Sequence, residues 1–148
     1  KSGLIKLTGV DVRAREIADA QRRFGGKREI GKSEIEGEFE FLTGDASRLD
    51  QHRSLESDFD LVFMRHQNYW NGARVWDEIY DQALTKLDEE GRLVITSYFD
   101  KEHELALKAI QRLGGELIHT EFNPDGRGLP APGKTVDRHV AVFRRAKT

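Results

Sequence analysis

Apolar positions along the chain alternate between short continuous runs and stretches with helical spacing. The short runs predict strands at residues 4–12, 38–43, 60–64, 93–98, 116–122 and 136–144. Helical spacing predicts helices at residues 13–24 and 100–113, a helix that begins at residue 75 and is closed by Gly91, and a short helix or turn at residues 48–56. Residues 25–37 are polar and contain several glycines, which predicts a loop or an insertion. This alternation predicts an α/β fold with a mostly parallel sheet and helices on both faces.

Three details refine this outline. The run at residues 60–64 is almost continuously apolar, which is expected of a strand covered on both faces. Asp100 is the expected N-cap of its helix, and the glycine pair at residues 114–115 is the expected end. No helix separates the last two strands, so they should form an antiparallel hairpin. The 148 residues are sufficient for one domain, and we expect residues 1–148 to form one.

Two acidic residues, Asp11 and Asp45, each close one of the predicted strands. In open α/β sheets, ligands bind at the carboxyl ends of the strands. A carboxylate at that edge can accept hydrogen bonds from ribose hydroxyls or from an exocyclic amine, so the pair indicates an adenosine-like ligand. Each acid taken singly also fits a structural role, Asp11 as the cap of the next helix and Asp45 as a turn residue.

Composition narrows the possible functions. The net charge of −2 does not favour a nucleic-acid partner, and the absence of cysteine excludes disulfides, thiolate metal sites and cysteine nucleophiles. The five histidines show no ligand-like spacing, so no metal site is expected. No apolar stretch approaches the roughly 18 residues of a membrane span, and no signal peptide is recognisable. We therefore expect a cytoplasmic protein with neither a membrane nor a nucleic acid as partner.

A phosphate-loop pattern, G-x-x-x-x-G-K-[ST], matches residues 26–33 through Gly26, Gly31, Lys32 and Ser33. Such a loop holds phosphates only where it follows a strand and opens a helix. Here the preceding segment is predicted as helix and the following one as loop and strand. A solvent-exposed basic loop is therefore the favoured interpretation, and a nucleotide-phosphate site is the alternative.

Five segments carry a family resemblance: residues 9–12, 42–46, 58–63 and 91–95, and the closing hairpin. In this order the chain resembles a class I S-adenosylmethionine-dependent methyltransferase, a Rossmann-like fold, from the second core strand onward. The first core strand of that family, which ends in an acid and a Gly-x-Gly loop, has no counterpart before Leu4. The resemblance places that strand between the strands that end at Asp11 and Met64. We therefore expect the native protein to continue upstream of Lys1.

The resemblance implies S-adenosylmethionine as the cofactor. It implies cofactor contacts at six residues: Asp11, Val12, Asp45, Ala46, Met64 and Arg65. In this scheme Asp11 binds the ribose hydroxyls, Asp45 and the Ala46 backbone bind adenine, and the residues after the third predicted strand border the methionine end. The function implied is methyl transfer to an unidentified acceptor, a small molecule by expectation. The alternative is a non-catalytic relative that binds or regulates a partner.

The segment after the third predicted strand is the candidate for chemistry. His66 has the side chain of a general base, because the pKa of imidazole lies near neutral pH. Asn68, Tyr69 and Trp70 have the side chains to hydrogen-bond to, or stack on, an acceptor. The structural alternative is that the two aromatic residues pack into the core and the histidine ends the strand. The Asn/Asp-Pro-Pro-Tyr signature for amino groups of bases or glutamine is absent.

Overall fold

The computed structural model describes residues 3–11, 14–29, 35–43, 46, 48, 58–65, 67 and 69–146. The chain divides into two compact units, residues 1–55 and residues 56–148. Both units are mixtures of helix and strand, so the predicted α/β class is confirmed. None of the helices in the described residues is long and apolar enough to cross a membrane.

In the residues that the structure describes, the first unit is a three-stranded sheet with one helix. Its elements are β1 (Gly3–Asp11), α1 (Ala14–Phe24), β2 (Gly26–Glu29) and β3 (Ile35–Thr43). The strand order is β1-β3-β2, with β1 parallel and β2 antiparallel to β3. Helix α1 packs against β1 and β3. The pair β1 and β3 with α1 between them is therefore a β-α-β unit, as the alternation of sequence patterns predicted.

The prediction of a loop over residues 25–37 is wrong in part, because β2 lies within it. Gly26 has a φ of 90°, a conformation that glycine adopts without strain, and it lets the chain reverse after α1. The polar residues that follow form backbone bonds to β3 instead of packing in the core. The same observation bears on the phosphate-loop pattern. Its first four residues form a strand, a helix precedes them, and the next described element is β3, so the order is opposite to that of a phosphate loop.

The second unit contains the remaining four strands and two helices. They are β4 (Phe59–Arg65), α2 (Ala73–Lys86), β5 (Leu87–Ser97), α3 (Asp100–Arg112), β6 (Gly115–Phe122) and β7 (His139–Arg145), with a short 3-10 turn at Tyr69–Asn71. The strand order is β4-β5-β7-β6. Strands β4 and β5 are parallel, and β7 is antiparallel to both β5 and β6. The predicted antiparallel hairpin at the end of the chain is confirmed.

The core of the second unit lies on one face of this sheet. Leu93 and Ile95 of β5 stand opposite Phe143 and Ala141 of β7 in the ladder, and all four are buried. The residues that cover them from α2 and α3 are Tyr80, Ala83, Leu84, Ala106, Ala109 and Ile110. Small residues of α3 let the helix approach the sheet closely. Both helices of this unit therefore pack on the same face of the sheet.

Strand β4 is an edge strand of the described sheet, and its side chains alternate. Val62 and Met64 pack against the core, whereas Leu61 and Phe63 are 57% and 53% exposed. The expectation that this strand is covered on both faces is therefore wrong for the described chain. The reason is that α2 and α3 cover only the face that Val62 and Met64 share with the core.

Two helix boundaries differ from the sequence prediction, and one agrees. Helix α2 ends at Lys86, and Gly91 lies inside β5, where a Cβ would stand 2.5 Å from the carbonyl oxygen of Phe59. This glycine allows a close backbone approach at the irregularity between β4 and β5; it does not end the helix. Asp100 is the first residue of α3, and Phe99 occupies the N-cap position. Gly114, with a φ of 106°, follows α3 as predicted.

Candidate functional site

The carboxyl ends of β1 and β3 lie at the same level of the first sheet. Asp11, the last residue of β1, is in register with Thr43, the last residue of β3. Asp45 follows two residues later in sequence and, like Val12, lies outside the described residues. Ala46 is half-buried. The register therefore brings the ends of β1 and β3 to one edge of the sheet, and the roles of Asp11 and Asp45 stay predictions.

The carboxyl end of β4 is held by an ion pair that reaches past β5 to a residue just before β7. The guanidinium of Arg65 donates to both carboxylate oxygens of Asp137, at 3.2 and 2.8 Å. The hydroxyl of Thr96, on β5 between them, donates to the same carboxylate at 2.7 Å. Hydrogen bonding to Asp137 raises the pKa of Arg65. Asp137 has a φ of 46°, in the left-handed region, so the chain turns sharply just before β7.

Gln67 is buried and ties the segment after β4 to the rest of the second unit. Its Nε2 donates to the backbone carbonyl of Thr96 at 2.9 Å. Its Oε1 accepts from the hydroxyl of Tyr80 at 3.4 Å. His66 and Asn68, which flank Gln67 in sequence, lie outside the described residues, so their predicted roles stay predictions.

Tyr69 and Trp70 have different surroundings. The Tyr69 hydroxyl donates to Asp77 at 2.7 Å, and its ring stacks on Tyr80 with centroids 6.3 Å apart, so its ring belongs to the core side. The Trp70 side chain is 47% exposed and meets the ring of Phe99 edge-to-face at 5.6 Å. Of the two, Trp70 has the aromatic surface available for a ligand to stack on.

Glu102 is a buried acid that the sequence analysis did not single out. Its Oε1 accepts from the backbone N–H groups of Tyr98 and Phe99, at 2.7 and 3.2 Å. Its Oε2 is buried and has no hydrogen-bond partner among the described residues. Burial raises the pKa of Glu102, and these backbone donors oppose the shift. The carboxyl group fixes the turn between β5 and α3, and an acid two residues inside a predicted helix is the only signal of it in the sequence.

A buried histidine links β5, α3 and β6. The Thr120 hydroxyl donates to the carbonyl of Val140, so it accepts from Nε2–H of His103 at 2.7 Å. The Nδ1 of His103 therefore accepts from the hydroxyl of Ser97 at 3.1 Å. Burial is the main cause that lowers the pKa of His103, to about 4, and the nearby His139 adds to it. The imidazole is neutral, and because Ser97 is fully buried this serine–histidine pair is structural.

A second histidine lies against this one at the surface. The ring of His139 stacks on that of His103 at 4.6 Å, and its Nε2 lies 2.6 Å from Asp100. Arg138 donates to the same carboxylate at 2.8 Å. Hydrogen bonds from Arg138 and His139 lower the pKa of Asp100 to about 2. In the described part of the chain, no group of three histidine or acidic side chains is arranged as a metal site.

Solved structures that superimpose on this chain include several methyltransferases. An S-adenosylmethionine-dependent methyltransferase of Methanosarcina mazei superimposes with a TM-score of 0.70 and 12% identity, over 99% of this chain and 94% of its own. The N-methyltransferase NodS of Bradyrhizobium japonicum, in complex with S-adenosylhomocysteine, gives 0.65 and 17%, over 99% and 79%. The Burkholderia thailandensis 1,6-didemethyltoxoflavin-N1-methyltransferase, with 1,6-didemethyltoxoflavin and S-adenosylhomocysteine bound, gives 0.61 and 14%, over 99% and 72%.

At these identities the similarity establishes the fold, which is that of class I S-adenosylmethionine-dependent methyltransferases. No protein-family model matches the sequence. No curated protein matches it either. The resemblance read from residues 9–12 onward is thereby confirmed as a resemblance of fold.

Proposed function

We propose that this chain transfers a methyl group from S-adenosylmethionine to a small-molecule acceptor. The register of β1 and β3 carries the proposal, since it brings Asp11 level with the strand end that precedes Asp45. Ligands of open α/β sheets bind at this edge. Two neighbours of the same fold are S-adenosylhomocysteine complexes, which agrees with the cofactor proposed here.

The residues present have the chemistry that the cofactor requires. The carboxylate of Asp11 accepts hydrogen bonds from the ribose hydroxyls, and Asp45 accepts from the adenine amine beside the Ala46 backbone. Val12 follows Asp11 in the chain and borders the same ligand. When bound, S-adenosylmethionine supplies a methyl group on a sulfonium whose sulfur leaves as a neutral thioether. This chain's own contribution is mainly to hold the acceptor in line with that methyl group.

The acceptor side is assigned to the segment that Gln67 anchors. Asn68, Tyr69 and Trp70 bind the acceptor, and the imidazole of His66 takes up the proton that the acceptor heteroatom loses. The half-exposed indole of Trp70 supports its part in this assignment. The hydroxyl of Tyr69 is engaged by Asp77 and its ring stacks on Tyr80, so its share in acceptor binding is smaller than that of Trp70.

Calorimetric titration with S-adenosylhomocysteine tests the proposal. We expect binding to the wild-type chain, and Asp11→Ala to weaken it by about tenfold or more, because hydrogen bonds to a charged group contribute about 1.5–3 kcal/mol. Asp125→Ala is the matched control, since this aspartate is exposed in the connection between β6 and β7. No binding to the wild type, or equal binding by Asp11→Ala, would contradict the proposal. Binding of the cofactor product without turnover of any acceptor would favour the non-catalytic alternative.

A further inference from the structure

Two connections of the second unit bring aromatic side chains together beyond the carboxyl ends of β4 and β5. Trp70 comes from the turn after β4, and Tyr98 and Phe99 follow β5 directly. The indole of Trp70 and the ring of Phe99 meet at 5.6 Å with their planes 69° apart. Nearly half of the Trp70 side chain is in contact with solvent. The group is therefore a partly open aromatic surface and is not sealed into the core.

A cation lies against this aromatic surface. The ammonium nitrogen of Lys134 is 4.7 Å from the ring centroid of Tyr98 and 5.9 Å from that of Phe99. Both distances are within the range of a cation–π contact. The charge of Lys134 also lowers the pKa of Glu102, but the two groups form no ion pair among the described residues. The ammonium group is thus held by ring faces, and its charge is not neutralised by a described carboxylate.

The backbone around Lys134 is fixed. The carbonyl of Lys134 accepts from the N–H of Leu129 at 3.0 Å, and the N–H of Thr135 donates to the carbonyl of Tyr98 at 3.1 Å. Gly128 and Thr135 form a β-bridge within the same connection. The long connection between β6 and β7 is therefore a small folded hairpin that is bonded to the end of β5. A cation held in this way needs little reordering when it binds an anion.

From this surface we propose that the acceptor is a planar aromatic molecule with an anionic group. Its ring stacks on the exposed face of Trp70, and its anionic group pairs with the ammonium of Lys134. The inference rests on the proposed function, because it names the acceptor class of that same site. A neutral acceptor would leave the ammonium of Lys134 without a charged partner. An aliphatic acceptor would leave the face of Trp70 without a ring to stack on.

The test uses 2-naphthoate as the probe, titrated calorimetrically into the full chain with S-adenosylhomocysteine present. Two control probes each lack one feature: 2-naphthamide lacks the charge, and cyclohexanecarboxylate lacks the aromatic ring. We expect 2-naphthoate to bind more tightly than either. Lys134→Met should weaken 2-naphthoate by about fivefold with little effect on 2-naphthamide, the size expected of a partly exposed ion pair. Trp70→Ala should weaken both aromatic probes by about tenfold.

Lys108→Met is the matched control for the lysine, because Lys108 is an exposed lysine on α3 that pairs with Glu104. Circular dichroism of each variant checks that it is folded. Equal binding of 2-naphthoate and 2-naphthamide, an unchanged affinity in Lys134→Met, or no binding of 2-naphthoate overturns the inference. Failure of S-adenosylhomocysteine to bind contradicts the proposed function instead, and that titration is carried out separately.

Discussion

Truncation of Gln67 tests whether its side chain anchors the segment that follows β4. The amide spans a backbone carbonyl of Thr96 and the hydroxyl of Tyr80, and all three residues are buried. Gln67→Ala would remove the hydrogen bond that the amide makes to each partner and would open a cavity between β5 and α2. Because the partners are far from water, the loss should appear in the free energy of unfolding.

The magnitude follows from the two distances. A buried polar group left without a partner costs about 1–3 kcal/mol. The hydrogen bond to Thr96 is well formed at 2.9 Å, so we assign its loss a cost in the middle of that range. The contact to Tyr80 is longer, at 3.4 Å, so we assign its loss a cost at the lower end. The sum is about 3 kcal/mol of lost stability. For a protein of this size we therefore expect the Tm to fall by about 6–12 °C.

Urea unfolding followed by far-ultraviolet circular dichroism measures this loss. Gln67→Met keeps most of the side-chain volume but removes both hydrogen bonds, so it separates their loss from the cavity. Gln111→Ala, at an exposed position of α3, is the matched control and should change stability by less than about 0.5 kcal/mol. A loss below about 1 kcal/mol in both Gln67 variants would refute the reasoning, since unsatisfied buried groups cost at least that much.

Three further outcomes follow from the second unit. Burial raises the pKa of Glu102 in the folded protein above its ordinary value of 4.5. The contribution of this side chain to stability is therefore full below pH 4.5 and is lost as the pH rises through the pKa of the folded state. The stability of wild type relative to Glu102→Gln, measured by urea unfolding from pH 4 to pH 8, should therefore decrease with pH; a constant difference would contradict this. Gly91→Ala places a Cβ 2.5 Å from a carbonyl oxygen of β4 and should cost about 2 kcal/mol, whereas Gly128→Ala, with open space around it, should cost less than half of that; equal losses would contradict the close approach. Asp137→Asn keeps a residue type that tolerates the positive φ, removes the charge that pairs with Arg65, and should cost about 1 kcal/mol because the ion pair is partly exposed; the loss should be smaller in 1 M salt, and a loss unchanged by salt would contradict an electrostatic origin.

The sequence was most informative where burial and local backbone rules agree. The strands of the second unit were predicted because their apolar residues pack against the helices. Gly114 was correctly predicted as a helix end because its positive φ favours glycine. The prediction that Gly91 ends a helix was wrong, because glycine is favoured both at helix ends and where two backbones approach closely. Strand β2 was missed because its backbone bonds to β3, and not its polar side chains, make it a strand.

The candidate site was predictable only in part. Strand ends identify Asp11 and Arg65 as edge residues, because position in a strand is a local property. The partner of Arg65 is 72 positions away in the chain, so no local pattern indicates Asp137. The role of Lys134 depends in the same way on how the connection between β6 and β7 folds back onto β5. Contacts of this kind are set by tertiary structure, and they decide the chemistry of the site.

The position of β7 has a consequence for how the second unit forms during synthesis. It is the last described strand in sequence but an inner strand of the sheet, with β5 on one side and β6 on the other. Strands β5 and β6 have emerged from the ribosome before β7, yet in the sheet neither can pair with the other. The four-stranded sheet can therefore be completed only after residues 139–145 have emerged, and until then β5 and β6 each lack the backbone hydrogen bonds that β7 supplies.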